Sequence, residues 1–282
     1  MESLLHKALP GIPYEEASPQ NQALHNRRIL FVVGIDNQGP GTDFYRLVRW
    51  LRRWTNSLTG SVAGIVVDGR GELYTKQATY FRRVRELAQR VLAFTPPTFA
   101  RPRLLMIHAS DNRRSNTVWI GRQVLQKLTS PFSFREVSLQ NGTIQDCRGC
   151  SYTACLHFAQ RHTCFYGGAI STEIIPAIEN CDAMLFLCPN YNDAVSANIM
   201  ALFNRLTNLL TQRDLYDKYL FGIVVSGYSG SDLVAQQLMG AMCFNKTTML
   251  PPRFCLMQTA HDPDSAKNMP DIQERIQAFA AN

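Results

Sequence analysis

From Arg103 onward, short apolar runs alternate with amphipathic stretches, and this alternation limits the possible folds more than any other feature of the chain. It is typical of strand–helix units repeated over a parallel sheet. The later runs are almost wholly apolar, as expected of strands that are buried on both faces. We therefore predict an α/β fold with five strands, which are Leu104–Ala109, Phe134–Leu139, Ala183–Cys188, Leu220–Ser226 and Phe254–Gln258.

Parallel strands with right-handed crossovers on both faces form a doubly wound sheet, most commonly in the flavodoxin-like order 2-1-3-4-5. In such sheets ligands bind at the loops that follow the carboxyl ends of the strands. The functional site is therefore expected at those loops. The amphipathic stretches predict five helices, which are Thr117–Leu128, Thr172–Asn180, Ala197–Leu210, Asp232–Met242 and Ile272–Ala280.

A smaller αβ section precedes the main pattern. Three prolines in Phe94–Pro102 mark the boundary between them, since proline and the residue before it are poorly suited to continuing a helix. We predict an N-terminal αβ extension at residues 1–100 and a flavodoxin-like domain at residues 101–282; whether the extension joins the main sheet or forms its own unit stays open. The extension is predicted to contain strands Ile29–Ile35 and Val62–Asp68 and helices Phe44–Leu58 and Thr75–Leu92.

Charge and hydropathy exclude several classes of partner. The net charge of +7 admits nucleic acid, but the basic residues concentrate in Arg46–Arg53 and Arg82–Arg90, at spacings that suit solvated helix faces. No apolar run approaches the roughly 18 residues of a membrane-spanning helix, and the N-terminal residues do not resemble a signal peptide. We therefore expect a cytoplasmic protein that binds neither nucleic acid nor membrane.

The loop after the first strand of the main domain is rich in hydroxyls and amides. It reads Ser110-Asp-Asn-Arg-Arg-Ser-Asn-Thr117 and leads directly into a predicted helix. Hydroxyls and free backbone N–H groups at a helix N-terminus suit a phosphate dianion, although a simple helix cap at Ser115 or Asn116 explains the loop equally well in isolation. The loop matches neither the GxGxxG pattern nor a Walker A lysine loop. Its place after the first strand of a doubly wound sheet favours phosphate binding.

Three segments together carry a family resemblance. Ala109–Thr117 resembles the phosphate loop of NADPH-dependent FMN reductases and iron–sulfur flavoproteins, which runs from a serine to a Ser-Asn-Thr triplet. Cys188-Pro-Asn-Tyr191 and the residues up to Leu206 resemble that family's flavin loop and following helix, and Val225-Ser-Gly-Tyr-Ser-Gly230 resembles its glycine loop. The segments occur in the family's order, which is more specific than any one of them.

The resemblance implies that FMN is bound non-covalently and that NAD(P)H is the electron donor. It implies phosphate contacts from Ser110, Ser115, Asn116 and Thr117. Asn112 stands where the family usually has arginine, so Arg113 or Arg114 is expected to compensate. The chemistry belongs to the flavin, and we assign no catalytic acid or base. The residues implied to line the flavin ring are Pro189, Asn190, Tyr191, Asn192, Asp193, Ser226, Gly227, Tyr228 and Gly230; Tyr191 either covers the ring or packs at the strand end.

Four cysteines lie close together in the sequence, in a segment read as a loop between the second and third strands. Cys147, Cys150, Cys155 and Cys164 have the density of metal ligands. The resemblance to iron–sulfur flavoproteins implies a [4Fe–4S] cluster, although the spacing here is looser than theirs. Four thiolates suit zinc equally. The third alternative is no metal, with Cys147 and Cys150 acting as a dithiol or as buried small residues. His157 and His162 lie in the same segment and would serve as replacement ligands or as solvent-exposed side chains.

Together these features predict an FMN-dependent oxidoreductase. Electrons would pass from NAD(P)H or a redox partner protein to a small-molecule acceptor, or through a cluster. The alternative is a non-enzymatic electron carrier that resembles flavodoxin, and a binding module without flavin is a third class. The resemblance also implies a homo-oligomer.

Overall fold

The computed structural model divides the chain into two compact units, Met1–Pro96 and Pro97–Asn282. None of the described helices is long and apolar enough to cross a membrane. The predicted helix Phe44–Leu58 lies almost wholly outside the described residues. The structure describes residues 7–16, 24–36, 39–40, 44, 47, 58, 60–69, 77–110, 113–139, 144–207, 209, 213–244 and 247–282.

The N-terminal unit contains a three-stranded sheet of its own. Strand β1 (Arg28–Asp36) pairs in parallel with β3 (Val62–Gly69) and antiparallel with the two-residue strand β2 (Gly39–Pro40). Helix α1 (Gln77–Ala93) lies against this sheet, because Val84 and Ala88 pack in one apolar cluster with Val66 of β3. Both predicted strands of the extension are therefore present, and the section does not extend the main sheet.

The C-terminal unit contains five parallel strands in the order β5-β4-β6-β7-β8. Numbered within this unit, that order is 2-1-3-4-5, so the predicted α/β class and strand order are confirmed. Each strand lies within one residue of its predicted position. The strands are β4 (Arg103–His108), β5 (Ser133–Ser138), β6 (Ala183–Pro189), β7 (Tyr219–Ser226) and β8 (Cys255–Thr259).

The helices of this unit differ from prediction in three respects. The helix Tyr152–Ala159 was not predicted, two helices include π-helical segments at Ile170–Ile174 and Gly240–Phe244, and the α-helix that starts at Ala197 ends at Asn204. A 3₁₀ turn at Ser265–Asn268 precedes the last helix. The α-helices are α2 (Asn116–Lys127), α3 (Tyr152–Ala159), α4 (Ile175–Asn180), α5 (Ala197–Asn204), α6 (Ser231–Met239) and α7 (Ile272–Ala280).

The sheet is buried on both faces. Leu105 and Ile107 of β4 pack with Phe186 in one cluster, whereas Met106 packs with Leu187 in a second cluster. Successive side chains of a strand point to opposite faces, so the two clusters are the two layers of a doubly wound domain. Burying each of these side chains stabilises the fold by about 1.5–3 kcal/mol. Since helices cover both faces, the ends of the strands are left for ligands.

Hydrogen bonds between polar groups connect the strands at the amino-terminal edge of the sheet, which is opposite the expected site. The Lys218 ammonium is almost fully buried and donates to the carbonyl oxygens of Glu179 (2.9 Å) and Cys181 (2.6 Å). Asp182 accepts hydrogen bonds from the backbone N–H of Arg103 at 2.8 Å and from its guanidinium at 2.7 and 3.0 Å. These contacts join the starts of β4, β6 and β7.

The Asp182–Arg103 pair predicts a pH-dependent stability. The hydrogen bonds from the Arg103 side chain, more than any other cause, hold the pKa of Asp182 below its usual range. A carboxyl with a lowered folded-state pKa stabilises the protein fully above its unfolded pKa of about 4, and this stabilisation disappears as the pH falls through the folded-state pKa. We expect Asp182→Asn to lower the urea midpoint at neutral pH and to reduce its fall below about pH 4.

The matched control is Glu173→Gln, since Glu173 forms an exposed ion pair with Arg135 at 3.2 Å. Exposed pairs of this kind contribute about 0–1 kcal/mol to stability. The urea midpoint of this control variant should therefore stay close to that of the wild type at every pH. If Asp182→Asn loses stability in acid as steeply as the wild type, the pair does not carry this pH dependence.

Candidate functional site

Loops from four neighbouring strands meet at the carboxyl edge of the five-stranded sheet. The strands β4, β6, β7 and β8 run parallel, so the loops after them lie at the same edge. They follow His108, Pro189, Ser226 and Thr259, and three of them contain the residues that the sequence predicts for the flavin site.

The loop after β4 ends in a well-formed helix cap. Ser115 is the N-cap of α2, and its hydroxyl accepts the backbone N–H of Val118 at 3.4 Å and lies 3.0 Å from the buried hydroxyl of Thr117. The first turn of α2 contains no acidic residue. The first N–H groups of α2 and the positive end of the helix dipole therefore face this loop.

The same loop is fastened to the loop after β8. The side-chain amide of Asn116 donates to the carbonyl of Asp262 at 2.9 Å and accepts the N–H of Ala266 at 3.1 Å. Arg114 donates to the Asp264 carboxylate at 2.7 Å. Lys267 and Arg114 together hold the pKa of Asp264 below its usual range. Asn116 and Arg114 thus position the loop with their side chains, although both were considered as phosphate contacts.

Arg113 differs from its neighbour. It is exposed, and its guanidinium has no ion-pair partner among the residues that the structure describes. Arg113 or Arg114 was expected to supply the positive charge that Asn112 lacks. Of the two, Arg113 is the one whose charge is available to a phosphate. Asn112 itself lies outside the described residues.

A buried histidine supports the start of this loop, and sequence reasoning missed it. His108 accepts the backbone N–H of Ser110 through Nδ1 at 3.3 Å, and its Nε2 lies 3.0 Å from Oε1 of Glu136. Arg122 approaches the same carboxylate at 3.5 Å. Because Nδ1 acts as an acceptor, the proton of the neutral ring is on Nε2 and points to Glu136. A histidine as the last residue of a buried strand was the signal available in the sequence.

The loop after β6 is a tight hairpin turn. Tyr191 and Ala194 exchange two backbone hydrogen bonds, of 3.1 and 3.2 Å. The two residues between them, Asn192 and Asp193, have positive φ values of 52° and 60°. Asparagine and aspartate tolerate this left-handed conformation better than other non-glycine residues. The turn therefore presents the exposed Tyr191 side chain at the rim of the site.

The loops after β6 and β7 are built as one unit. The side-chain amide of Asn190 donates to the carbonyl of Ser229 at 2.8 Å and accepts the N–H of Asp193 at 2.7 Å. Gln237 of α6 donates to the carbonyl of Asp193 at 2.8 Å and accepts the N–H of Val195 at 3.1 Å. The side chain of Asn190 therefore supports the loops.

Residues of the glycine loop after β7 lie at different depths. Ser226 is buried, and its hydroxyl lies 2.7 Å from that of Ser231. Tyr228 is 82% exposed, and its ring centroid lies 5.3 Å from that of His261. A side chain at Gly227 would approach Nδ1 of His261 to 2.9 Å. The predicted set thus combines rim residues such as Tyr228 with supporting residues such as Ser226.

One buried polar atom in this region lacks a partner. The hydroxyl oxygen of Ser196, the N-cap of α5, has no hydrogen-bond partner among the described residues. Buried polar atoms in proteins are nearly always paired. An unpaired hydroxyl directly after the predicted flavin loop fits a polar ligand group at this edge, and Ser196 was not among the predicted residues.

The four-cysteine segment contains a helix as well as loop. Cys147 and Cys150 precede α3 and are exposed, Cys155 lies in α3, and Cys164 follows it; the last two are half-buried. Placing all four in a loop was therefore wrong. All eight cysteines are free thiols.

The segment does not fit the predicted metal site. Within the described residues, no group of three or more histidine, cysteine, aspartate or glutamate side chains is arranged to hold a metal ion. A [4Fe–4S] or zinc site needs four ligands around one centre. The assignment of Cys147, Cys150, Cys155 and Cys164 as metal ligands is therefore not supported.

Both ends of this segment are held by one buried arginine. Arg205, directly after α5, donates to the carbonyl oxygens of Gln145 at 3.1 Å and Gly167 at 2.5 Å and to the hydroxyl of Ser171 at 3.2 Å. Asn204 beside it donates to the Asp146 carboxylate at 2.9 Å. The cysteine segment is thereby anchored to the helix that follows the predicted flavin loop.

The five-stranded sheet, with its site at the carboxyl edge, defines a flavodoxin-like protein. A model of the NADPH-dependent FMN reductase family matches residues 102–262, more than half of the chain. The chain belongs to this family and is an NAD(P)H-dependent FMN oxidoreductase. The predicted family and enzyme class are confirmed; the iron–sulfur subtype is not shown.

Several solved structures are similar to this chain at low sequence identity. RosB, determined with a bound 8-demethyl-8-formylriboflavin-5′-phosphate intermediate, has a TM-score of 0.51 and 12% identity over 64% of this chain and 77% of its own. The NAD(P)H:quinone oxidoreductase from Methanothermobacter marburgensis has a TM-score of 0.47 and 14% identity, over 65% of this chain and 96% of its own. An FMN-dependent NADH-azoreductase from Bacillus anthracis has a TM-score of 0.44 and 10% identity, over 64% of this chain and 98% of its own. No curated protein sequence matches this chain.

Proposed function

We propose that this chain binds FMN non-covalently at the carboxyl edge of the sheet and passes electrons from NAD(P)H to a small-molecule acceptor. The observation that carries the proposal is that the three loops matched by residue pattern lie together at this edge. All three also fall inside the region matched by the family model. The edge is the usual ligand position in a doubly wound sheet.

The loop after β4 would hold the phosphate. The hydroxyls of Ser115 and Thr117 lie at the N-terminus of α2, where the first N–H groups have no intrahelical acceptor. Ser110 contributes its hydroxyl, and Arg113 contributes an exposed positive charge. Asn116 contributes its backbone N–H, since its side chain is engaged with the loop after β8.

The loops after β6 and β7 would hold the flavin ring. The ring would lie against Pro189–Asp193 and Ser226–Gly230, with the exposed Tyr191 covering it and the Ser196 hydroxyl supplying a polar contact. When bound, FMN accepts a hydride from NAD(P)H and passes the electrons on. The residues of the chain bind and orient the ring, and we assign none of them a proton-transfer role.

Two properties accompany this proposal. We infer that the chain acts in the cytoplasm, which is supported by eight unpaired cysteines, since a reducing compartment keeps thiols in that state.

We also infer a homo-oligomer that covers part of the aromatic rim at Tyr191 and Tyr228. Light scattering of the purified chain measures its mass directly; a monomer would contradict this inference.

The alternative is an electron carrier that needs a partner protein. Steady-state oxidation of NADPH and NADH by the purified chain, with excess FMN and a quinone acceptor, separates the two functions. Turnover by the chain alone supports the reductase. A chain that binds FMN yet oxidises neither nucleotide would be a carrier, and a chain that binds no FMN would be a binding module.

Arg113 provides a direct test of the phosphate site. We expect Arg113→Ala to weaken FMN binding about 10- to 100-fold, because a hydrogen bond to a charged group contributes about 1.5–3 kcal/mol. Quenching of FMN fluorescence on titration with protein measures the affinity. Riboflavin, which lacks the phosphate, should bind both proteins equally weakly.

The neighbouring arginine is the matched control. Arg114 forms its ion pair with Asp264, and its side chain is 67% exposed. Arg114→Ala should therefore change FMN affinity by less than about threefold, in keeping with the small energies of exposed pairs. Equal losses in both variants, or a loss of riboflavin binding in Arg113→Ala, would mean that the loop acts only through its fold.

A further inference from the structure

Cys150 and Cys155 occupy two special positions at the start of α3. Ser151 is the N-cap of this helix; its hydroxyl accepts the N–H of Ala154 at 3.3 Å, and its carbonyl accepts the N–H of Cys155 at 2.9 Å. Cys150 is thus the residue before the cap, and Cys155 is the fourth residue of the helix. Side chains at these two positions characteristically pack against each other across a capped N-terminus.

The two thiols lie close together. The sulfurs of Cys150, Cys147 and Cys164 are all near enough to Cys155 to act on it electrostatically, and that of Cys150 has the largest effect. Burial, followed by these neighbouring sulfurs, raises the pKa of the Cys155 thiol. Cys155 is therefore held as a neutral, half-buried thiol beside the exposed Cys150.

The surroundings favour exchange with a solute. Cys147 and Cys150 are both exposed, and Gly149 between them has a positive φ of 67°, so the chain turns sharply there. Hydrogen bonds from Arg205 to the carbonyl oxygens of Gln145 and Gly167 hold both ends of the cysteine segment. The helix α3 and its cap therefore stay in place while the thiols react. Among the described residues, no group of cysteine, histidine or carboxylate side chains is arranged to hold a metal ion.

We propose that Cys150 and Cys155 form a reversible dithiol–disulfide centre that exchanges with small-molecule disulfides. The Cys150 thiolate attacks one sulfur of the disulfide, whose S–S bond breaks and releases one thiolate. Cys155 then loses its proton to solvent and attacks the Cys150 sulfur of the mixed disulfide, which releases the second thiolate. In total, two protein thiols and one small disulfide give one protein disulfide and two small thiols, so two electrons leave the protein. The centre does not depend on FMN binding.

The positions of the tryptic cleavage sites allow a disulfide between Cys150 and Cys155 to be detected directly. Trypsin cleaves after Arg148 and Arg161, so Cys150 and Cys155 share one peptide, residues 149–161, whereas Cys147 and Cys164 fall in others. The reduced full-length protein is incubated with excess glutathione disulfide, quenched in acid, alkylated and digested. We expect peptide 149–161 to lose two hydrogen atoms and both alkylation sites, and to regain both after treatment with glutathione.

Two serine variants complete the test. In Cys155→Ser the internal disulfide should be lost completely and a glutathione adduct should accumulate on Cys150, whereas Cys164→Ser should form the internal disulfide as the wild type does. A cross-linked peptide containing Cys147 or Cys164, or an unmodified peptide 149–161 in wild type, overturns the proposal. So does protection of all four thiols from alkylation together with stoichiometric iron or zinc in the same reduced sample.

Discussion

Replacing Gly230 by alanine is expected to lower the affinity for FMN by about 100-fold. Gly230 has a φ of +83°, a conformation that costs a non-glycine residue roughly 1–2 kcal/mol. A side chain there would also approach Cγ of Asp193 to 2.7 Å and Nδ2 of Asn190 to 2.8 Å. These are the residues that join the loops after β6 and β7. The added carbon must therefore displace the proposed ring-binding loops, and FMN binding must restore their arrangement at a cost of about 3 kcal/mol, which gives the stated change.

A second glycine in the following helix is the matched control. Gly240 lies in the right-handed helical region, and a side chain there would meet no atom within 4 Å. Gly240→Ala should leave FMN affinity unchanged and stabilise the protein slightly, since alanine restricts the unfolded chain more than glycine. FMN titration and thermal unfolding measure both effects. If Gly230→Ala retains wild-type affinity, the two loops do not hold the ring in this arrangement.

The strands could be predicted because their signal is local. Runs such as Ala183–Cys188 are short and apolar throughout, as expected of strands buried on both faces. The strand order was predicted as the commonest arrangement of right-handed crossovers on both faces of a doubly wound sheet. The positions of the loops at the carboxyl edge are a consequence of the same order, so the place of the candidate site was also within reach of the sequence.

The supporting contacts were not predictable, because they depend on residues far apart in the chain. Arg205 reaches Gln145 across 60 positions, and Asn116 reaches Ala266 across 150 positions. Asn116 was assigned to phosphate because sequence cannot show that its side chain is already engaged. The metal assignment is unsupported for a related reason, since the closeness of Cys147–Cys164 along the chain does not fix how their sulfurs are arranged around one centre.

Replacing Arg205 by methionine is expected to destabilise the Pro97–Asn282 unit by about 3 kcal/mol. Methionine keeps much of the buried volume but removes the donors to Gln145, Gly167 and Ser171. Two carbonyl oxygens and a hydroxyl would then lose their partner inside the protein, and each unpaired buried group costs about 1–3 kcal/mol. Because Gln145 and Gly167 flank the cysteine segment, α3 should lose its attachment before the sheet unfolds.

Hydrogen exchange measured by mass spectrometry separates these effects. Amides of β6 and β7 report the stability of the whole unit, and amides of peptide 149–161 report the attachment of α3. We expect faster exchange in both, with the larger change in the peptide. The control is Arg213→Met, because Arg213 pairs with Asp217 at the surface and such a pair contributes at most about 1 kcal/mol. Unchanged protection of the peptide in Arg205→Met would show that contacts other than the hydrogen bonds from Arg205 hold α3. In that case the geometry of Cys150 and Cys155 would be set by the helix cap at Ser151 alone.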